Sequence, residues 1–303
     1  MKLALAISIL YCHLVACSNS ERLDIEQRDV DFDRFGTYWY QGKAELNSYE
    51  LTQYRYGESV QGEAVLIFVT EDFSRSKKVK VDKIDAENED QVKVMKLNST
   101  RDFLTGIYPY HMMSSTFTPI YGDEQSLKIT ASSQEWCGQS FTLLEREDIG
   151  FETTLHSYFE SEANFTSTVS GVLEDELWNL IRLNPNLLPE GEFMAVPGAL
   201  SQRMSHAELK AYNANAELVD SKIEFMNVDR PTKKYSINYP EIGRELMIYF
   251  DAEFPFEILA WEEKSSSRDQ GYTRAIRKGN LMLDYWKRNS SADTVWRDSL
   301  NLR

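Results

Sequence analysis

The chain has 303 residues and a formal net charge of −15, from 48 Asp plus Glu against 33 Lys plus Arg. This acidic excess repels phosphate backbones and anionic head groups, which argues against a nucleic-acid-binding role. The length allows one large or two small domains, and 15 Phe with 16 Tyr can supply a sizeable core.

The chain opens with MKLALAISILYCHLVA, in which Lys2 precedes a mostly apolar run from Leu3 to Val15. A permanent transmembrane helix needs ~20 apolar residues, so this run reads instead as a secretory signal peptide. Leu14-Val15-Ala16-Cys17 resembles the lipobox of bacterial lipoproteins. The resemblance implies a lipidated thiol on Cys17, cleavage just before it and acylation of the new amine. Small Ala16 gives a peptidase access to the scissile bond, and Leu14 fills an apolar subsite. Cys12 follows bulky Tyr11 and leaves with the signal peptide. Residues 1–16 are therefore expected to be removed, taking Lys2 and moving the charge from −15 to −16. Two or three acyl chains anchor a protein stably where one does not. The expected address is the cell envelope, with membrane contact through the lipid anchor. By analogy with sorting in some Gram-negative bacteria, Ser18 points to the outer membrane.

Residues 17–33 are polar and acidic and read as a tether, spanning on the order of 20 Å as a flexible chain. Asp29, Asp31 and Asp33 alternate as in a calcium loop, but Arg34 stands where Gly is required and Tyr40 where Glu is required. Residues 34–303 read as a single β-rich domain. Strands are expected from Gly36 onward, with Gly57 and Gly62 marking a turn and the run Ala64–Val69 forming a central strand. The charge-dense stretch SRSKKVKVDKIDAENEDQ reads as an exposed hairpin or loop. One or two strands follow, broken near Gly106 and Pro109, and two more cover SLKITASSQEWCGQSFTLLERE and GFETTLHSYFE.

One helix stands out in SGVLEDELWNLIRLNPN. Leu173, Leu177, Leu180 and Ile181 recur at helical spacing, Glu174, Asp175 and Glu176 suit its first turn, and Asn184-Pro185 stops it. Strands resume to residue 288, and a short last helix begins at Ser290 with Asp293 in a capping box, burying Trp296 and Leu300. The pattern lacks βα alternation. It predicts a mainly β (α+β) fold: a curved antiparallel sheet or half-barrel with one inserted mid-chain helix and a short C-terminal helix.

Chemistry-bearing motifs are sparse. His111, His156 and His206 lie in separate segments, and neither a nucleophile elbow, a P-loop nor Rossmann glycines occur. No metal and no cofactor are expected. After lipidation Cys137 is the one remaining thiol, so the fold stands without an internal disulfide. Beside Trp136 it reads as a buried structural thiol; the alternative is a nucleophile served by His111 or His156. Tyr108, Tyr110 and His111, together with Trp136 and Cys137, are the candidate lining of a ligand cleft, the alternative being strand core.

The stretches YWYQGKAELNSYELTQYRYGE, GEAVLIFVTEDF, TGIYPYHMMSSTFTPI, SSQEWCGQSF and ELWNLIRLNPNLLPEGE resemble a group of uncharacterised bacterial envelope lipoproteins, over nearly the whole mature chain. Some members carry the label septum formation inhibitor Maf. Maf proteins are cytoplasmic nucleotide pyrophosphatases with a Ser-x-Ser-Pro-Arg-Arg type segment, and no Pro-Arg-Arg occurs here. The element order is also similar to half-barrel domains of lipoprotein carriers, where a curved sheet wraps a helix. Three functions are expected on this basis. The first is an anchored protein binding a lipid or other apolar ligand. The second is a structural or assembly lipoprotein with protein partners. The third is a cysteine-dependent enzyme using Cys137.

Overall fold

The computed structural model describes residues 30–162, 164–227 and 229–302. Residues 1–16, read as a signal peptide, Cys17 and residues 18–29 of the expected tether lie outside the described residues. Helix α1 (Phe32–Trp39) comes first. Strands β1 (Ala44–Arg55), β2 (Glu58–Ser74), β3 (Val79–Lys80), β4 (Gln91–Thr105), β5 (Tyr108–Pro119), β6 (Lys128–Glu135), β7 (Gly138–Arg146), β8 (Phe151–Ser157) and β9 (Phe165–Val169) follow. After β10 (Val172–Leu173) come α2 (Glu174–Leu183), β11 (Gly191–Val196) and α3 (Ala199–Ser205). The chain ends with β12 (Tyr212–Ser221), β13 (Thr232–Tyr239), β14 (Arg244–Asp251), β15 (Ile258–Lys264), β16 (Thr273–Leu283) and α4 (Val295–Ser299).

The strands form one curved, unclosed sheet in the order β10-β11-β12-β13-β14-β15-β16-β1-β2-β4-β5-β6-β7-β8-β9, with β3 beside β2. This is the mainly β half-barrel that the element order predicts. Nearly every strand pairs with its sequence neighbour, so tight turns suffice; Gly57 and Gly106 supply the positive φ that two of them need. The two ends of the sheet meet covalently, because β9 and β10 are separated only by Ser170 and Gly171. A Cβ on Gly171 would lie 2.8 Å from the Met194 carbonyl, so only glycine lets the chain cross there. Ile129, Leu144 and Phe151 from one flank pack with Leu173 and Val196 from the other, closing the seam with side chains where the ladder stops.

Helix α2 lies inside this curve. Its apolar spacing predicts one buried face, yet nine of its residues are buried, including Glu174, Asn179 and Arg182. The polar ones are tolerated because each has partners: Asn179 Nδ2 donates to Met95 O at 3.1 Å and to Thr118 Oγ1 at 2.8 Å. Leu177 and Ile181 are fully buried in the main cluster. Leu177→Ala should therefore cost about 2–5 kcal/mol, read as a lower urea midpoint at unchanged slope.

Three local expectations need correction. Residues 32–39, read as the end of the tether and the start of strands, form α1, capped by Asp31, whose side chain accepts from the Arg34 N–H at 3.2 Å. Phe35 and Trp39 of this helix are buried against the main cluster, which ties it to the domain. Residues 199–205 form α3 within a stretch read as strand and loop. Finally, Trp136 and Cys137 are not core: they form the turn between β6 and β7, and both are exposed. The C-terminal segment follows expectation: the Ser290–Asp293 capping box is formed, Leu300 is buried and Trp296 half-buried. It covers Ile67 and Val69 on the outer face of β2, which explains that strand's continuous apolar run.

Candidate functional site

Strand register gathers four connections at one end of the sheet. Gly62 faces Phe103, His111 faces Gln134 and Ser140 faces Ser157. The turns at 56–57, 106–107 and 136–137 and the segment that leaves β8 at Tyr158 therefore share a rim. The rim is apolar and exposed: Tyr56 is 64% accessible, Ile107 81%, Trp136 69% and Tyr158 64%. The rings of Tyr56, Tyr110, Tyr108 and Trp136 form a series. Tyr56 OH lies 2.8 Å from Tyr110 OH and accepts from Tyr108 OH at 3.3 Å. The Tyr108 ring lies 6.4 Å from that of Trp136. A Cβ on Gly138 would sit 2.6 Å from the Tyr158 ring, so the glycine lets that ring lie on the Trp136 turn. The Arg55 guanidinium stacks 4.5 Å over Tyr56.

Of the candidate cleft residues, Tyr108, Tyr110, Trp136 and Cys137 meet at this rim, with Tyr110 buried and stacked on Phe103 at 4.8 Å. His111 points to the opposite face of β5 and bonds Asp102 at 2.6 Å, as strand alternation requires. His156 contacts Asn164 at 3.3 Å. The neighbour of Cys137 is Glu135, whose hydrogen bond raises the thiol above its ordinary value. An activated thiolate needs the opposite, a positive setting that lowers it.

Directly below the rim lies a second, buried feature. A cavity of about 30 Å³ opens where α2 begins, lined by residues of β4, β5, α2, α3, β14 and β15. Arg244 holds Glu174 through Nε at 2.9 Å and Nη2 at 2.5 Å, and its Nη2 lies 3.0 Å from Glu263. Arg101 also bonds Glu263. Burial works against ionising Glu263, but Arg101 and Arg244 outweigh it and keep its carboxyl below the usual range. Asp175 accepts the Ala199 N–H at 2.9 Å. Burial raises its carboxyl to about 7, Glu174 adds to this, and the Ala199 N–H, Arg244 and Arg101 oppose it. In the sequence the only trace of this cluster is the acidic run at the start of α2.

Among the described residues, no group of three or more His, Cys, Asp or Glu is placed to hold a metal, and no helix is long and apolar enough to cross a membrane. No protein-family model matches the chain, and no curated protein or solved structure shows significant similarity to it.

Proposed function

We propose that this chain is a lipid-anchored envelope protein that holds a protein partner on its aromatic hairpin rim. The single observation that carries this reading is the exposed set Tyr56, Ile107, Trp136 and Tyr158 at one end of the sheet, with half-buried Tyr108 between Tyr56 and Trp136. Contiguous exposed apolar surface marks interaction sites, and Trp, Tyr and Arg dominate the centres of protein interfaces. The position of the rim supports it. Helix α1 leads into the start of β1, at the other end of a strand about 40 Å long. An anchor on Cys17 would thus hold the α1 end near the membrane and leave the rim free to face away from it. The acidic charge speaks against a lipid surface at the rim. An apolar ligand inside the sheet gains no support, since α2 and the main cluster occupy that space.

The anchor and the rim are tested separately. Cys17→Ala should leave a soluble or unprocessed protein without palmitate label, and Cys12→Ala should change nothing. Label on Cys17→Ala in the membrane fraction would contradict the anchor. Trp136→Ala with Ile107→Ser should shift folding stability by no more than about 0.5 kcal/mol, because both side chains are exposed. The same pair should abolish retention of an envelope protein that the unaltered chain retains from solubilised membranes. Equal retention by both would contradict the rim as the binding surface.

A further inference from the structure

The charged cluster beneath the rim is unbalanced. Arg101 and Arg244 bring two positive charges, whereas Glu174, Asp175 and Glu263 bring three carboxyls. Both arginines are engaged by Glu174 and Glu263. Asp175 has the backbone N–H of Ala199 instead, donated by the first residue of α3. The groups that face it are Glu174 on its own helix, Arg101 on β4, Arg244 on β14 and Glu263 on β15. Helix α3 presents Leu200 and Ser201 to the cavity, and β5 presents Ser114 and Thr116, all uncharged. Asp175 is only half-buried, and the cavity beside it has room for on the order of two waters. Solvent protons can therefore reach its carboxyl.

Helix α3 connects this cavity to the rim. Its first residue bonds Asp175, while its other end is built into the aromatic surface. Arg55 donates to the Met204 carbonyl, Arg203 lies 3.7 Å from Glu135 beside Trp136, and the Arg203 guanidinium stacks 4.8 Å over Phe159. The helix is poorly satisfied where it is buried. Ser201 Oγ, Gln202 Nε2 and Arg203 Nε and Nη1 have no protein hydrogen-bond partner, and neither has Arg101 Nε across the cavity. Buried polar groups without partners are rare in stable interfaces, so this helix gives up little when it moves.

We propose that the Asp175 cavity is a proton-operated catch on α3 that sets whether the rim is shaped to bind. With Asp175 neutral, two arginines balance two glutamates and α3 stays seated. With Asp175 ionised, the cluster carries an uncompensated negative charge, water enters the cavity, and α3 loosens together with Met204 and Arg203. The raised titration of Asp175 places the change near neutral pH, within reach of a compartment that follows its surroundings. The effect on binding rests on the rim reading; the response of α3 does not.

Hydrogen exchange of residues 199–205, corrected for intrinsic rates, tests the catch on the full mature chain. Between about pH 6 and pH 8 the protection of α3 should fall on the order of tenfold, most of it below about pH 7, because opening releases a proton only while the seated Asp175 still carries one. Asp175→Asn should stay protected at both pH values. A carbon-13 titration of the Asp175 carboxyl in the unaltered protein gives a second reading that needs no variant. Its midpoint should lie at about 7, and a midpoint in the ordinary carboxylate range would overturn the catch. Constant protection, or equal loss in Asp175→Asn, would overturn it too. An α3 that loosens while Trp136 fluorescence stays constant would overturn the link to the rim. Loss of the rim reading itself shows differently, as partner retention by the Trp136→Ala and Ile107→Ser pair.

Discussion

Arg182→Ala should destabilise the fold by about 3–5 kcal/mol, because it strands a buried carboxylate. Arg182 and Glu45 are both 0% exposed, and two bonds of 2.5 and 2.7 Å join them. The guanidinium also donates from Nε to Pro255 O at 2.9 Å and stacks 4.7 Å over Phe68 and 4.9 Å over Trp39. The pair thus ties the end of α2 to β1, β2 and α1. Burial alone would raise the Glu45 carboxyl. Arg182, Tyr38 and Asn47 outweigh that and hold it below the usual range. Without Arg182 the sign reverses: Glu45 then favours its proton, and the variant loses most stability as pH rises. Arg182→Met combined with Glu45→Gln should recover most of the loss. Urea unfolding at neutral and mildly acidic pH measures both. A cost below about 1 kcal/mol for Arg182→Ala would mean that the pair is not sealed from water.

The second large effect is on the pH dependence of stability. Asp175 is raised in the fold to about 7, above the ~3.9 of an unfolded Asp, so the native state binds the proton more tightly. Its contribution is full below the unfolded value and is lost as pH rises through about 7. Sealed from solvent, a carboxyl raised this far would contribute about 4 kcal/mol, which contact with the water-accessible cavity reduces to about 2 kcal/mol. Glu45 and Glu263 act the other way, since both are lowered and lose their contribution as pH falls through the acid range. Stability should therefore peak in mildly acidic solution. Between about pH 5 and pH 9 the urea midpoint of the unaltered chain should drop, and Asp175→Asn should remove most of that drop. Identical pH profiles for the two would contradict the assignment.

The fold was legible where one periodicity dominated. Ala64–Val69 read as a central strand because both its faces are covered, one by the core and one by the C-terminal segment. Leu173, Leu177, Leu180 and Ile181 marked α2, but not its burial on all sides, which depends on partners such as Glu45 on β1, far away in sequence. Helix α1 was hidden by the alternating acids before it, although Phe32, Phe35 and Trp39 carry helical spacing. Helix α3 is seven residues long with a polar middle, too short for periodicity to register. The Trp136-Cys137 turn misled because aromatic residues normally signal strand or core. Of the rim residues Tyr108 and Trp136 stand out in the sequence as candidate cleft residues while Tyr56 and Tyr158 do not, and only strand register shows that all four share one end. Of the cavity the sequence shows only the acidic run at the start of α2, because Arg101, Asp175, Arg244 and Glu263 come from four different elements.

The most direct test of the rim as the working end is photo-crosslinking in intact cells. One photoreactive residue replaces Trp136, and another replaces Ile149, which is also exposed, in the turn before β8 at the opposite end of the sheet. A discrete crosslinked protein from position 136 and none from position 149 is the predicted result. Crosslinks from position 149 alone, or the same products from both, would contradict it.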